Sequence, residues 1–480
     1  MRSKLQQASL VCVGLVAGVL ISAQYSAVAQ KEVAAPLPLE DLRTFADVFG
    51  AIKQGYVEPV EDKKLITYAI SGMLSNLDPH SAYLDPDSFK DLQVSTQGEF
   101  GGLGIEVGME DGFVKVVSPI EDTPAHRAGI KAGDLIIKLD DTPVKGMTLS
   151  DAVKKMRGKP KTSVKLTVVR KGEGKPLEFT LVRDVIKVQS VKSKVIEPGY
   201  GYLRVTQFQE ETAADLVKHL DKLFNPKDTK DKDTKAEPIK GLVLDLRNDP
   251  GGLLHGAIGV SAAFLPANSL VTSTDGRTED AKRKYVANSS DYLRGHKSDF
   301  LKDLPAAVKD VPLIVLVNGG SASASEIVAG ALQDHKRAVI MGTQTFGKGS
   351  VQTVLPLSNN AALKLTTARY YTPSGRSIQA KGIVPDVIVE ETPNGSKHDR
   401  LREADLDRHL DNEQEKSMPK EAKETEKTPV KAPSKPGKGK SKDEDEDSFH
   451  QPAVEFASKN DYQLSQAMNL LKAWQVIKAK

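Results

Sequence analysis

Cysteine is all but missing: Cys12 is the only one in 480 residues, and it sits inside an apolar N-terminal run as one more apolar side chain. The rest of the chain therefore carries no disulfide framework, no thiol nucleophile and no cysteine metal site. Aromatic residues are scarce, at 5% with a single tryptophan, and the net charge is only +3 with the basic residues spread along the chain. With neither a base-stacking surface nor a basic stripe, nucleic acid is excluded as a partner. No internal repeat is visible.

What remains is the composition of a globular protein, 39% hydrophobic and 27% charged, in a length that suits roughly three domains. Arg2 and Lys4 precede an apolar run over 8–23, and Ala27-Val28-Ala29 follows as a small-x-small site. This layout predicts a secretory signal peptide over 1–29, the run being short for a membrane span. Left uncleaved, the same segment would associate the chain with the inner membrane.

From Leu42, Phe45, Val48, Phe49 and Ile52 to Leu65, Ile66, Ala69, Ile70, Met73 and Leu74, apolar residues recur at helical spacing and predict a small helical domain over 39–94. Two Asp-Pro steps around Leu77-Asp78-Pro79-His80-Ser81-Ala82-Tyr83-Leu84 interrupt it. Over 97–184 the pattern changes to short strands and glycine turns, with strands at 113–117 and 164–169 and a helix over 149–156 capped by Thr148 or Ser150. Strands and helices then alternate over 185–390, as in an α/β core. Strands are expected at 201–208, 241–247, 313–318 and 338–342, helices at 211–224 and 323–333, and a solvated Lys/Asp-rich loop at 225–238. The stretch 391–450 is rich in Lys, Glu, Pro and Ser and is expected to be a disordered linker. The end, 451–480, holds an amphipathic helix with Leu464, Ala467, Met468, Leu471 and Trp474 on one side.

Chemistry concentrates in three places. In Asn318-Gly319-Gly320-Ser321-Ala322-Ser323-Ala324-Ser325-Glu326 a buried strand ends at a glycine pair, and small residues open a helix. Small residues admit a substrate backbone, and a helix N-terminus suits a developing oxyanion. Ser323 is well sited there as a nucleophile, although Ser323 with Glu326 also reads as a plain capping box. Thr345-Phe346-Gly347-Lys348-Gly349-Ser350-Val351-Gln352 follows the next strand. A partly desolvated Lys348 would have a lowered pKa and could serve as the base that a seryl hydroxyl needs, and Gln352 would share its face if Lys348 opened a strand. Gly349 stands where a phosphate-binding loop needs Ser or Thr, so a nucleotide site is rejected. Leu244-Asp245-Leu246-Arg247-Asn248-Asp249-Pro250-Gly251-Gly252 runs a buried strand into a turn whose amides could complete an oxyanion hole.

Together with Tyr371-Thr372-Pro373-Ser374-Gly375-Arg376-Ser377-Ile378-Gln379 and Gly382-Ile383-Val384-Pro385-Asp386, these motifs resemble the carboxyl-terminal processing, or tail-specific, serine proteases over about 39–386. The resemblance implies a mixed α+β and α/β multidomain fold: a ClpP/crotonase-like protease core with an inserted PDZ domain and a small N-terminal helical domain. Residue by residue, it puts the nucleophile on Ser323, the base 25 residues on at Lys348, and the supporting group on Gln352. It suggests an acidic participant at Asp334, which about 16 Å of helix separates from Ser323, and oxyanion donors at Gly251, Gly252 and Ala324. Asp249 departs from the family's usual Asn.

Phe100-Gly101-Gly102-Leu103-Gly104-Ile105 and Ala128-Gly129-Ile130-Lys131-Ala132-Gly133-Asp134-Leu135-Ile136 resemble PDZ signatures. Backbone amides across Gly102, Leu103, Gly104 and Ile105 would receive a peptide's terminal carboxylate, and the strand edge its chain. The expected function is periplasmic endopeptidase action on proteins or peptides with apolar C-termini, by a Ser-Lys dyad. No metal or cofactor is called for, and the terminal helix would build a homo-oligomer or recruit an adaptor. The rival readings are a PDZ scaffold with an inactive core, a crotonase-like acyl-CoA enzyme, and a histidine triad using His255 or His335.

Overall fold

The computed structural model describes residues 37–120, 122–226, 237–295, 298–395, 401–416 and 456–478. The expected signal peptide, nearly all of the Lys/Asp-rich loop and most of the expected linker lie outside the described residues. The chain divides into two compact units, the first ending at Ile70 and the second beginning at Ser71. In the first, the helix Leu39–Gly55 buries none of its residues and leaves Leu42, Phe45, Val48 and Ile52 exposed. The helix Asp62–Ser75 follows.

Within the second unit, an antiparallel sheet runs in the order Ile105–Glu110, Phe113–Pro119, Leu135–Leu139, Ser163–Val169 and Leu177–Val182. Val114, Val116, Ile136, Leu139, Val164, Leu166 and Val168 form its core. The helix Leu149–Met156 turns Ala152 and Met156 inward, and its Thr148 cap accepts the Asp151 N–H at 3.2 Å. Ile105–Glu110 is an edge strand, so one row of its backbone groups is unpaired.

The α/β core is a six-stranded sheet ordered Val191–Glu197, Tyr200–Val205, Gly241–Asp245, Leu313–Val317, Val339–Gly342 and Val387–Ile388; its first pair is antiparallel and the rest parallel. Continuous apolar strands such as Leu313–Val317 suit a sheet covered on both faces. Leu203, Leu244, Leu313, Val315 and Val317 pack with the helices Thr212–Phe224, Leu254–Phe264 and Ala324–Asp334. Tyr202, Val243, Ile314 and Leu316 face the other way, onto Leu464, Ala467, Met468 and Leu471 of the terminal helix Tyr462–Lys478. Trp474 is only partly buried.

A further sheet centres on the long strand Ala362–Tyr371, which pairs with Ala82–Leu84, Leu270–Gly276 and Ser350–Pro356. Because Ala82–Leu84 precedes the PDZ-type sheet in the chain, that domain is an insertion between two parts of the core.

One expectation is corrected. Residues 401–416, inside the expected disordered linker, fold onto the core: Glu403 is fully buried and Asn412 nearly so. Polar anchoring explains the difference, since Glu403 and Asn412 are held by hydrogen bonds rather than by the apolar area that composition registers.

Candidate active site

The strand Leu313–Val317 ends at Asn318, and the turn that follows is closed by polar groups. Ser321 N–H donates to the Asn318 carbonyl at 2.8 Å, and Ser321 Oγ donates to the Leu246 carbonyl at 2.8 Å. Ser323 then adopts φ 54° and ψ −111°, rare for a residue with a Cβ, before the helix Ala324–Asp334 begins. Such a conformation costs about 1–3 kcal/mol and is held by its surroundings. Ser323 and Glu326 have the capping-box arrangement, but only the Glu326 half, which accepts Ser323 N–H at 2.8 Å, is a hydrogen bond of normal geometry.

Glu326 is more than a cap. Fully buried, it accepts Ser323 N–H at 2.8 Å and Lys348 N–H at 2.9 Å on one oxygen, and Gly347 N–H at 2.7 Å and Thr345 Oγ1 at 2.6 Å on the other. Phe346 N–H also donates to the Ser321 carbonyl at 3.0 Å. The serine turn and the lysine turn therefore meet on one carboxylate. Burial pushes that carboxyl up to about 7, against the pull of its four donors. Lys348 is half-buried, and burial lowers its pKa below the ordinary lysine value, with the Lys364 ammonium adding to the effect. The carboxylates of Glu403, Glu326 and Asp78 oppose it.

Lys348 lies in a turn rather than opening a strand, since the strand starts at Ser350, and a bulge between Val351 and Gln352 breaks the simple alternation. Gln352 Nε2 donates to Ser350 Oγ at 2.9 Å and, longer, to Thr366 Oγ1 at 3.4 Å. Thr366 Oγ1 in turn donates to Asp78 at 3.1 Å, and buried Asp78 also accepts from Ser81 Oγ and the amides of His80 and Ser81.

The turn after Gly241–Asp245 presses against Ser323. A Cβ on Gly251 would stand 2.6 Å from the Ala322 carbonyl oxygen and 2.9 Å from Ser323 Cβ, so only glycine fits. The Asp249 carbonyl accepts Ala322 N–H and Ser325 Oγ, each at 2.9 Å. Gly251 is nevertheless corrected as an oxyanion donor: its N–H is spent on Asp249 Oδ1 at 2.8 Å. The amides of Gly252 and Ala324 have no such acceptor among the described residues. Asp249 is fully buried, and burial raises its carboxyl well above the usual range.

Other expected residues lie elsewhere. Asp334 closes the far end of the helix Ala324–Asp334, accepting Ser374 N–H at 2.8 Å and pairing with Arg376. Hydrogen bonds from Thr372 and Ser374 hold its pKa low against the opposing effect of burial. His255 pairs with Glu210 at 3.3 Å, and His335 Nε2 meets the Leu270 carbonyl at 2.7 Å. Asp78, His80, Gln379 and Glu403, which the sequence did not single out as candidates, are linked by hydrogen bonds to the strand and turn around Lys348. The Leu-Asp-Pro-His-Ser motif carried the first two.

At the PDZ-type sheet, Phe100, Gly102, Leu103, Gly104, Ile105 and Val107 face Val153 and Met156 across a cavity of about 150 Å³. Gly104 has φ 75°, and a Cβ there would stand 2.2 Å from Thr123.

An α/β core with a strained serine turn between a central strand and its helix, and an antiparallel domain inserted ahead of it, is the organisation of a serine peptidase. The profile of Peptidase family S41 matches residues 199–389, a PDZ domain profile matches 101–182, and that of the activating protease CtpB N-terminal domain matches 18–88. The chain is 49% identical over 406 residues to the carboxy-terminal-processing protease of Bartonella bacilliformis, covering 83% of this chain and 88% of that one. It is 36% identical over 340 residues to carboxy-terminal processing protease CtpA of Bacillus subtilis, covering 71% and 67%. The chain belongs to Peptidase family S41, among the carboxy-terminal processing serine proteases, and has that family's fold with a PDZ and an N-terminal domain. A solved photosystem II D1 C-terminal processing protease aligns at 30% identity over 72% of this chain and 92% of that one, with a TM-score of 0.40.

Proposed function

We propose that the chain is an endopeptidase in which Ser323 is the nucleophile, Lys348 its general base, and Gln352 the group that orients the lysine. The observation that carries this reading is the shared Glu326 oxygen, which accepts the Ser323 and Lys348 amides at 2.8 and 2.9 Å. Neutral Lys348 takes the seryl proton as Ser323 attacks the scissile carbonyl. The tetrahedral oxyanion is met by the Gly252 and Ala324 amides, each worth about 3 kcal/mol. Lys348 then gives its proton to the leaving amine, and the acyl-enzyme is hydrolysed by water that the lysine deprotonates. The inserted domain takes apolar C-terminal tails, and the export-signal layout of 1–29 supports action in the periplasm.

The test is peptide hydrolysis by Ser323→Ala and Lys348→Met. Both should lose on the order of 10⁴-fold or more in kcat while still binding a tail peptide. Because the base works only when neutral, wild-type kcat/KM should rise with pH through the lowered Lys348 pKa and level off at a lower pH than an ordinary lysine would allow. Full activity of either variant would sink the dyad.

A further inference from the structure

The match to the peptidase family profile ends at 389, yet residues 401–416 return to the lysine turn. The Glu403 side chain is only 1% exposed. His80 Nε2 lies 2.8 and 3.0 Å from its two oxygens, Gln379 Nε2 donates to it at 2.9 Å, and Glu403 N–H donates to the Phe346 carbonyl at 3.1 Å. Gln379 passes this anchoring on: its Oε1 accepts Gly349 N–H at 3.1 Å, and the neighbouring Ala380 N–H donates to the Gly347 carbonyl at 2.8 Å. Asn412 Nδ2 holds the Gln379 carbonyl from the same segment at 3.0 Å.

The turn is thus gripped from two sides. Glu326 takes the Gly347 and Lys348 amides, while Gln379 and Glu403 take the Gly349 amide and the Phe346 carbonyl. A Gly-Lys-Gly turn has wide backbone freedom of its own, and a 1 Å misplacement of a reacting group costs roughly 10²-fold in rate. The Glu403 carboxylate reaches the turn through Gln379: it holds the Nε2 end of that side chain, whose Oε1 end takes the amide of Gly349, the residue after the lysine.

We propose that Glu403 is a positioning residue of the peptidase reaction: with His80 and Gln379 it fixes the turn that presents Lys348 to Ser323. The segment 401–416 is then part of the active site rather than a linker. This rests on the Ser323–Lys348 reading. The charged groups acting on Lys348 are Lys364, Glu403, Glu326 and Asp78, so loss of the Glu403 charge also leaves a pH signature.

The experiment compares full-length wild type, Ser323→Ala, Glu403→Gln and His80→Gln in peptide hydrolysis across pH, with thermal unfolding and binding of a fluorescent tail peptide as folding checks. Glu403→Gln should bind the tail peptide normally and keep KM within about twofold, with kcat falling roughly 10²-fold. The rising limb of its pH profile should move to lower pH, because a negative charge that favours the ammonium has gone. His80→Gln should lose kcat similarly, and a variant combining Glu403→Gln with His80→Gln should lose little more. A Glu403→Gln kcat within about twofold of wild type, or a loss that follows the unfolded fraction with the pH limb unmoved, overturns the proposal. If Glu403→Gln fails to fold, an unchanged kcat in His80→Gln overturns it instead. An active Ser323→Ala removes the dyad and this inference with it, whereas an inactive Ser323→Ala beside a fully active Glu403→Gln removes the inference alone.

Discussion

Asp249 has one oxygen on the Gly251 amide and the other without a hydrogen-bond partner, in full burial. An ionised carboxylate there would face a large desolvation cost, so the neutral acid is favoured and the side chain acts much as an asparagine would. Its folded pKa lies above its unfolded one. The stability it contributes is therefore present below the unfolded pKa, near 4, and is lost as pH rises towards the folded value. Asp249→Asn keeps the Gly251 bond and removes this loss. The variant should be about as stable as wild type near pH 4 and more stable above it, by on the order of 1 kcal/mol at pH 8. Denaturant unfolding across pH checks this, and a constant difference would contradict it. Glu326 carries the same sign, with a folded pKa of about 7. Glutamine cannot stand in for it, because two donors meet each of its oxygens and an amide nitrogen would accept neither of its pair.

At the scale of elements, the terminal helix is tied to the core by charge, just ahead of the turn over 249–252, as well as by apolar packing. Arg247, two residues before Asp249 and almost wholly buried, donates to Asp245 at 2.6 Å, to Gln463 at 3.0 Å and to Asp461 at 2.9 Å. Asp461→Ala leaves the guanidinium with Asp245 as its sole carboxylate partner. It should cost about 2–3 kcal/mol and lower kcat more than it weakens tail-peptide binding, as denaturant unfolding and kinetics would read. The terminal helix itself was legible, because Leu464, Ala467, Met468 and Leu471 recur at helical spacing and are buried together. The helix Leu254–Phe264 was not: every residue from His255 to Phe264 is buried, so no amphipathic period exists to be read. The same logic separates the site residues. Ser323 and Lys348 stand in glycine-rich local motifs. Glu403 and Gln379 are joined by a bond across 24 positions, and His80 and Glu403 by one across 323. Their meeting depends on tertiary folding that no local pattern encodes.

At the scale of the whole molecule, recognition and chemistry are divided between an inserted module and the core that surrounds it in the chain. The strand Ile105–Glu110 is free to pair along one edge, beside a cavity of about 150 Å³ lined by Leu103, Ile105, Val153 and Met156. An extended peptide added to that edge would place its last side chain in an apolar cavity and its carboxylate at the Leu103 and Gly104 amides. The two groups contribute differently. The side chain adds burial that any apolar residue of fitting size supplies, while the carboxylate's charge-assisted hydrogen bonds are worth about 1.5–3 kcal/mol. A tail peptide ending in Val or Leu should therefore weaken roughly 10–100-fold when its C-terminus is amidated, and similarly when Gly104→Val closes the loop against Thr123. If binding is read by fluorescence polarisation on Ser323→Ala, cleavage cannot mask the result. With the wild-type chain, the amidated substrate should show the loss in KM while kcat stays near its original value, since the proposed reacting groups, Ser323 and Lys348, are untouched. Equal binding of free-acid and amidated peptides would mean that the glycine loop does not read the terminus.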